Sequence, residues 1–205
     1  MNAAPSRRAA LVAGLTALMA AGAAAAAPGV AAPGDMSLGN PRAKVKVVEY
    51  ASPTCSHCAH FNEAVFAPFK AKYLDTGRAH YTLKEFLTPP HQAAAAAFLI
   101  ARCGAAAPQR YFSVLDGIFR SQPRWRAGAI KPVLLEVGRA NGLTNAQMEA
   151  CLADPAAVQA LDARARRAVT EDGVEGTPTV FVNGRKVEVQ TLADLEAAIG
   201  SAGKK

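Results

Sequence analysis

Residues 49–61 read EYASPTCSHCAHF and set two cysteines, Cys55 and Cys58, two residues apart. Just upstream, KVKVVEYAS from Lys44 is rich in valine and ends in turn residues, the signature of a strand. A period of two puts Val45, Val47 and Glu49 on one face, and Lys46, Val48 and Tyr50 on the other. Downstream the period changes. Cys58, Phe61, Val65, Phe69 and Tyr73 fall three or four apart, the buried stripe of an amphipathic helix. The cysteine pair therefore sits where a strand hands over to a helix.

That junction has chemical consequences. Cys55 lies in the first turn, where backbone N–H groups lack intrahelical partners and the positive end of the helix dipole faces the sulfur. Both favour thiolate over thiol, and His57 adds a donor or positive charge nearby. Cys58, one turn on, belongs to the apolar stripe and is predicted to be covered. One exposed and one buried sulfur is the asymmetry a disulfide-exchange couple requires. A cysteine pair can also serve as half of a zinc site or as a structural staple. A structural zinc site usually takes four ligands in two close pairs. Cys103 and Cys151 lie far apart in the chain, and His57 with His60 would crowd four ligands onto about one and a half turns of helix. A disulfide closing so short a loop also removes little entropy from the unfolded chain, which argues against an inert staple.

The flanks of this motif organise the rest. The chain has 205 residues, 51% of them apolar, enough for one domain with a sizeable insertion. Residues 1–26 have the layout of a secretory signal peptide: Arg7 and Arg8, an apolar run from about Ala9, then an alanine tract with cleavage expected before Ala27. An uncleaved anchor is the alternative, weakened by how alanine-dominated the run is. Ser6-Arg7-Arg8 resembles the start of a twin-arginine signal, without the bulky residues that follow one. Loss of Arg7 and Arg8 lowers the net charge from +7 to about +5. Arg164, Arg166 and Arg167 and the Lys204-Lys205 tail read as a solvated helix face and a chain end, so nucleic-acid binding is not supported. Export favours disulfide chemistry for all four cysteines.

Residues 27–40 form a polar Gly/Pro-containing lead-in and 41–88 the first strand, the helix and a second strand, RAHYTLKEFL. Pro68 is predicted to kink the helix, because it has no N–H for the Ala64 carbonyl. Residues 89–172 carry about five helices and little strand character. Gly142 is a C-terminal stop, Thr144 to Gln147 a capping box, and Asp154-Pro155 an N-cap with proline at the first helical position. In 173–200 two β-rich runs are joined by Asn183-Gly184, a strong hairpin signal, before a closing helix. Residues 201–205 are a flexible tail. The fold class is α/β, a parallel β-α-β unit extended by an antiparallel hairpin and interrupted by helices.

ASPTCSHCAHF after a strand, an all-helical insertion, and GVEGTPTVFVNG before a last helix resemble the DsbA family of periplasmic thiol:disulfide oxidoreductases, over about Gly39 to Ile199. The closest pattern is the branch with an extra cysteine pair in the insertion. The resemblance implies a thioredoxin fold with an inserted helical domain, and catalysis at Cys55 and Cys58 flanked by Ser56 and His57. It also implies a cis-proline loop at Thr177-Pro178 that binds an extended substrate, and an acid, Glu49, beneath the second cysteine to exchange its proton. Cys103 and Cys151 then form a second, structural disulfide between two helices, worth roughly 4 kcal/mol from loop-closure entropy at the upper end. No cofactor or metal is implied. The implied partners are exported proteins with free cysteines and a DsbB-like, quinone-linked membrane reoxidant. The short lead-in leaves no room for a dimerisation extension, so a monomer is expected. Ser56-His57 departs from the Pro-His of strongly oxidising members but keeps the histidine. Thr177 also precedes the cis-proline in related isomerases. Isomerase or reductase activity is therefore the alternative, followed by a non-catalytic periplasmic metal- or thiol-binding module. His60, His80 and His91 belong to no motif and read as surface residues.

Overall fold

The computed structural model describes Met1 and residues 27–104, 107–126 and 128–202; the expected signal segment, apart from Met1, and the Lys204-Lys205 end lie outside them. Five strands form one mixed sheet: β1 (Met36–Gly39), β2 (Val45–Ala51), β3 (Ala79–Glu85), β4 (Thr179–Val182) and β5 (Arg185–Val187), in the order β1-β3-β2-β4-β5. The central strand β2 pairs in parallel with β3, Val47 beside Tyr81 and Glu49 beside Leu83. It pairs antiparallel with β4, Glu49 beside Val180 and Tyr50 beside Thr179. Asn183 and Gly184 both take positive φ, 49° and 77°, as the two-residue hairpin turn between β4 and β5 requires.

β2 is buried on both sides. Val47 and Ala51 join the large core under the first helix, while Val48 and Tyr50 pack with Ala168, Val174 and Phe181 on the opposite face. Period two read each side chain's face correctly, yet the second face is covered too, by the end of the insertion and the strand that follows it.

The lead-in is more than a lead-in. Residues 36–39 add the edge strand β1 antiparallel to β3, and Ser37 Oγ meets Thr82 Oγ1 at 2.7 Å. Four residues between Gly34 and Pro41 are too few for a periodic signal, and their pairing depends on β3, some forty residues away. Gly39, at φ +85°, turns the chain so close to β3 that a Cβ there would collide with the Ala79 carbonyl.

Helix α1 runs through four consecutive segments, Ser56–Phe61, Asn62–Phe66, Ala67–Phe69 and Lys70–Leu74, of which the second and fourth are π-turns. Its stripe of Cys58, Phe61, Val65, Phe69 and Tyr73 is buried throughout. The helical segments run on through Pro68, and just before it Ala67 N–H bonds the Asn62 carbonyl five residues back, a widened turn beside the residue that has no donor. The widening also serves the stripe: four turns over these positions average about 3.75 residues each, more than the 3.6 of a regular α-helix.

Among the described residues the insertion holds six helices, where about five are expected: α2 (His91–Arg102), α3 (Pro108–Arg120), α4 (Gln122–Arg126), α5 (Ile130–Ala140), α6 (Asn145–Ala153) and α7 (Pro155–Thr170). The additional helix is the short α4, which follows directly on the α3 C-cap Ser121. The Thr144–Gln147 capping box and the Asp154 cap are both formed. Cys103 and Cys151 are disulfide-bonded and tie the end of α2 to α6. Glu85, at the end of β3, anchors the insertion to the sheet. It accepts Arg102 Nε at 2.5 Å, Arg164 Nε at 2.6 Å and the Tyr111 hydroxyl at 3.1 Å. Helix α8 (Leu192–Ala202) closes the fold and packs beside α1 and β4.

Candidate active site

Strand β2 ends at Ala51, and three residues deliver Cys55 to the start of α1. Cys55 is the N-cap: its backbone is extended, and its sulfur accepts the Cys58 N–H at 3.4 Å. Both cysteines are free thiols, Cys55 half-buried and Cys58 fully buried. Ser56, His57 and His60 face solvent.

The two sulfurs have opposite acidities. Cys55 is pushed down to about 5. The largest cause is the hydrogen bond from the Cys58 thiol; burial opposes it, and the Thr177 side chain and the backbone N–H groups of Cys58 and His57 assist. Cys58 is pushed well up, first by burial, then by its bond to Cys55 and by the charge of Glu49. The helix start therefore acts as the sequence implied, but through local donors. What His57 supplies toward the sulfur is its backbone N–H; its imidazole makes no hydrogen bond among the described residues.

Pairing of β4 with β2 brings the loop before β4 against Cys55. The Thr177–Pro178 peptide is cis, and the Cys55 thiol donates to the Thr177 carbonyl at 3.2 Å. The Thr177 hydroxyl is buried without a partner, a donor free to turn to sulfur once Cys55 is ionised. Beneath the pair lies Glu49, buried, its Oε2 accepting the Tyr81 hydroxyl. Burial lifts its pKa to about 8, opposed by the Tyr81 bond and helped by the Cys55 charge.

Two contributors were missed from the sequence. Tyr81 alternates with His80 and Thr82 along β3, so period two could have put it with Leu83 and Glu85, but nothing in sequence says that this face meets Glu49. Gln122 lies outside every motif. It donates from Nε2 to the Pro53 and Cys55 carbonyls, at 2.8 and 2.9 Å. Of the remaining histidines, His91 is exposed and His80 half-buried, its pKa lowered by burial and then by Lys46.

A family model described as thioredoxin matches residues 31–201. The chain belongs to the thioredoxin family. The match starts before the Gly39 boundary of the motif resemblance because it takes in β1. A Rickettsia bellii protein with the provisional name protein-disulfide oxidoreductase is 32% identical over 169 residues, 82% of this chain and 64% of its own length. Its Rickettsia typhi counterpart is 30% identical, with 82% and 62% covered. The chain thus spans a little over three fifths of the curated relatives it matches. Among solved structures of the family, Wolbachia pipientis alpha-DsbA1 superposes with a TM-score of 0.77 at 25% identity, covering 85% of this chain and 94% of that one. Bacillus subtilis BdbD, at 0.74 and 18% identity with 83% and 94% covered, shares the fold.

Proposed function

We propose that this thioredoxin-family chain is an exported thiol:disulfide oxidoreductase that donates a Cys55–Cys58 disulfide to client proteins and acts as a monomer. The observation that carries the reading is the asymmetry of the pair: a half-exposed Cys55 held at about 5 beside a fully buried Cys58 held well above the ordinary thiol range.

A client thiolate attacks Cys55 Sγ in the disulfide. A client–Cys55 bond forms, and Cys58 leaves as a thiolate. Burial makes that charge unfavourable, so Cys58 takes a proton, and Glu49, whose carboxyl is itself protonated up to about pH 8, is the group placed to give it. The client's second thiolate then attacks its own sulfur in the mixed disulfide, and Cys55 leaves as a stabilised thiolate. The client loses two electrons and the protein gains them. A stabilised Cys55 thiolate favours the reduced protein and so makes the disulfide a strong oxidant. The loop that carries cis-Pro178 into strand β4 offers backbone groups on which an extended client segment can pair. Reoxidation by a DsbB-like, quinone-linked membrane partner follows from the family resemblance.

The test is the reduction potential against glutathione, together with Cys58→Ser. The potential should lie well above thioredoxin's, which is about −270 mV, and the variant should accumulate mixed disulfides at Cys55. A potential as low as thioredoxin's overturns the oxidase role.

A further inference from the structure

Helix α4 is where the insertion reaches the nucleophile. Gln122 opens this helix and is buried. Its single side-chain amide bridges two carbonyls in the loop that delivers Cys55, Pro53 at 2.8 Å and Cys55 itself at 2.9 Å. The Cys55 carbonyl also takes the Ala59 N–H at 3.2 Å, whereas among the described residues the Pro53 carbonyl has Gln122 alone. Thr88, just before the insertion, holds the same loop from the other side. Its hydroxyl and N–H meet Ser52 Oγ at 2.9 and 3.1 Å, and Thr54 donates to its carbonyl at 2.9 Å.

We infer that Gln122 is a positioning residue for Cys55: its two donated hydrogen bonds fix the N-cap backbone so that the sulfur rests on the Cys58 N–H. The inference rests on Cys55 being the nucleophile of the proposed function. Its physical basis has two parts. The N-cap torsions decide whether Sγ points at the helix start, and the Cys55 carbonyl is the strongest negative dipole within the nucleophile's own residue. An amide N–H set against that carbonyl offsets its negative end and leaves the sulfur's charge better tolerated. Helix propensity and the cysteine motif account for neither bond, because Gln122 arrives from a separate helix 67 residues away.

The experiment uses the full reduced chain, titrated by thiolate absorbance at 240 nm. Gln122→Met keeps length and bulk but has no donors, and Gln122→Glu turns acceptors toward the two carbonyls. With Met the Cys55 midpoint should rise by about one pH unit, roughly a tenfold loss of thiolate near the wild-type midpoint, and with Glu it should rise further. The glutathione equilibrium should shift about tenfold with Met, about 30 mV toward the reducing side. Val133→Ala, a buried change in α5 remote from the loop, controls for lost stability. The inference is overturned if folded Gln122→Met titrates like wild type, or if Val133→Ala moves the midpoint equally; should Gln122→Glu not fold, the Met variant decides. A wild-type midpoint near 9 defeats the parent reading, whereas a low midpoint shared by wild type and Gln122→Met defeats only the role of Gln122.

Discussion

Two regions of this molecule are built from the same parts, a cysteine pair and a buried carboxylate, and the charges around them are arranged in opposite ways. Where the insertion meets the sheet, Cys103 and Cys151 are already bonded, and Glu85 of β3 is met by two arginines and a tyrosine. Past the end of β2, Cys55 and Cys58 are free, and among the described residues Glu49 has only the Tyr81 hydroxyl. Glu85 is neutralised in place and holds elements together. Glu49 has no such cation among the described residues, and burial, only partly offset by the Tyr81 bond, lifts its pKa to about 8. Burial alone does not separate a structural acid from a chemical one; the cations beside it do.

The largest effect expected from breaking this contrast is on stability. Glu85→Ala leaves Arg102 and Arg164 without their partner and should cost about 3–5 kcal/mol by urea unfolding, while the Cys55 thiolate titration stays put. A smaller loss, about 2–4 kcal/mol, is expected for Cys103→Ala with Cys151→Ala, through the wider freedom of the unfolded chain. Disulfide donation at Cys55 should survive in that variant, and its loss would mean that the two pairs are coupled.

Glu49→Gln should leave stability near neutral pH almost unchanged, because it replaces a protonated acid by a neutral amide. It should slow formation of the mixed disulfide, the step in which Cys58 leaves and takes a proton, by at least about tenfold, followed by fluorescence of the single tryptophan, Trp125, near the active-site loop. The smallest effect is in the pH profile, and its sign separates the two groups. In the oxidised protein Glu49 holds a proton that the unfolded chain has released, so stability falls as pH rises from about 5 to about 8. In the reduced protein Cys55 works the other way: held at about 5 rather than 9, it loses its proton before the unfolded chain does and adds stability as pH rises over that interval. The reduced wild type should therefore show a shallow profile from pH 5 to 8. Glu49→Gln should flatten the oxidised profile and unmask a rise in the reduced one. An oxidised wild-type profile with no fall across this window would show that Glu49 is ionised in the fold.

Much of this was legible in the chain itself. The valine-rich strand, the stripe from Cys58 to Tyr73, the Asn183-Gly184 turn and the caps at Thr144 and Asp154 are local patterns, and local patterns follow from backbone sterics and side-chain period. They placed Cys55 at a helix start and Cys58 on its buried side before any contact was known. The tertiary structure decided what lies many residues away along the chain: that residues 36–39 pair with β3, that Tyr81 faces Glu49, and that Thr177 and Gln122 close on Cys55. It also decided that the turn just before Pro68 is widened, which keeps the stripe of α1 on the sheet. Sequence spacing carries the period of one element but not the register between two, and the acidity of the buried groups comes from that register.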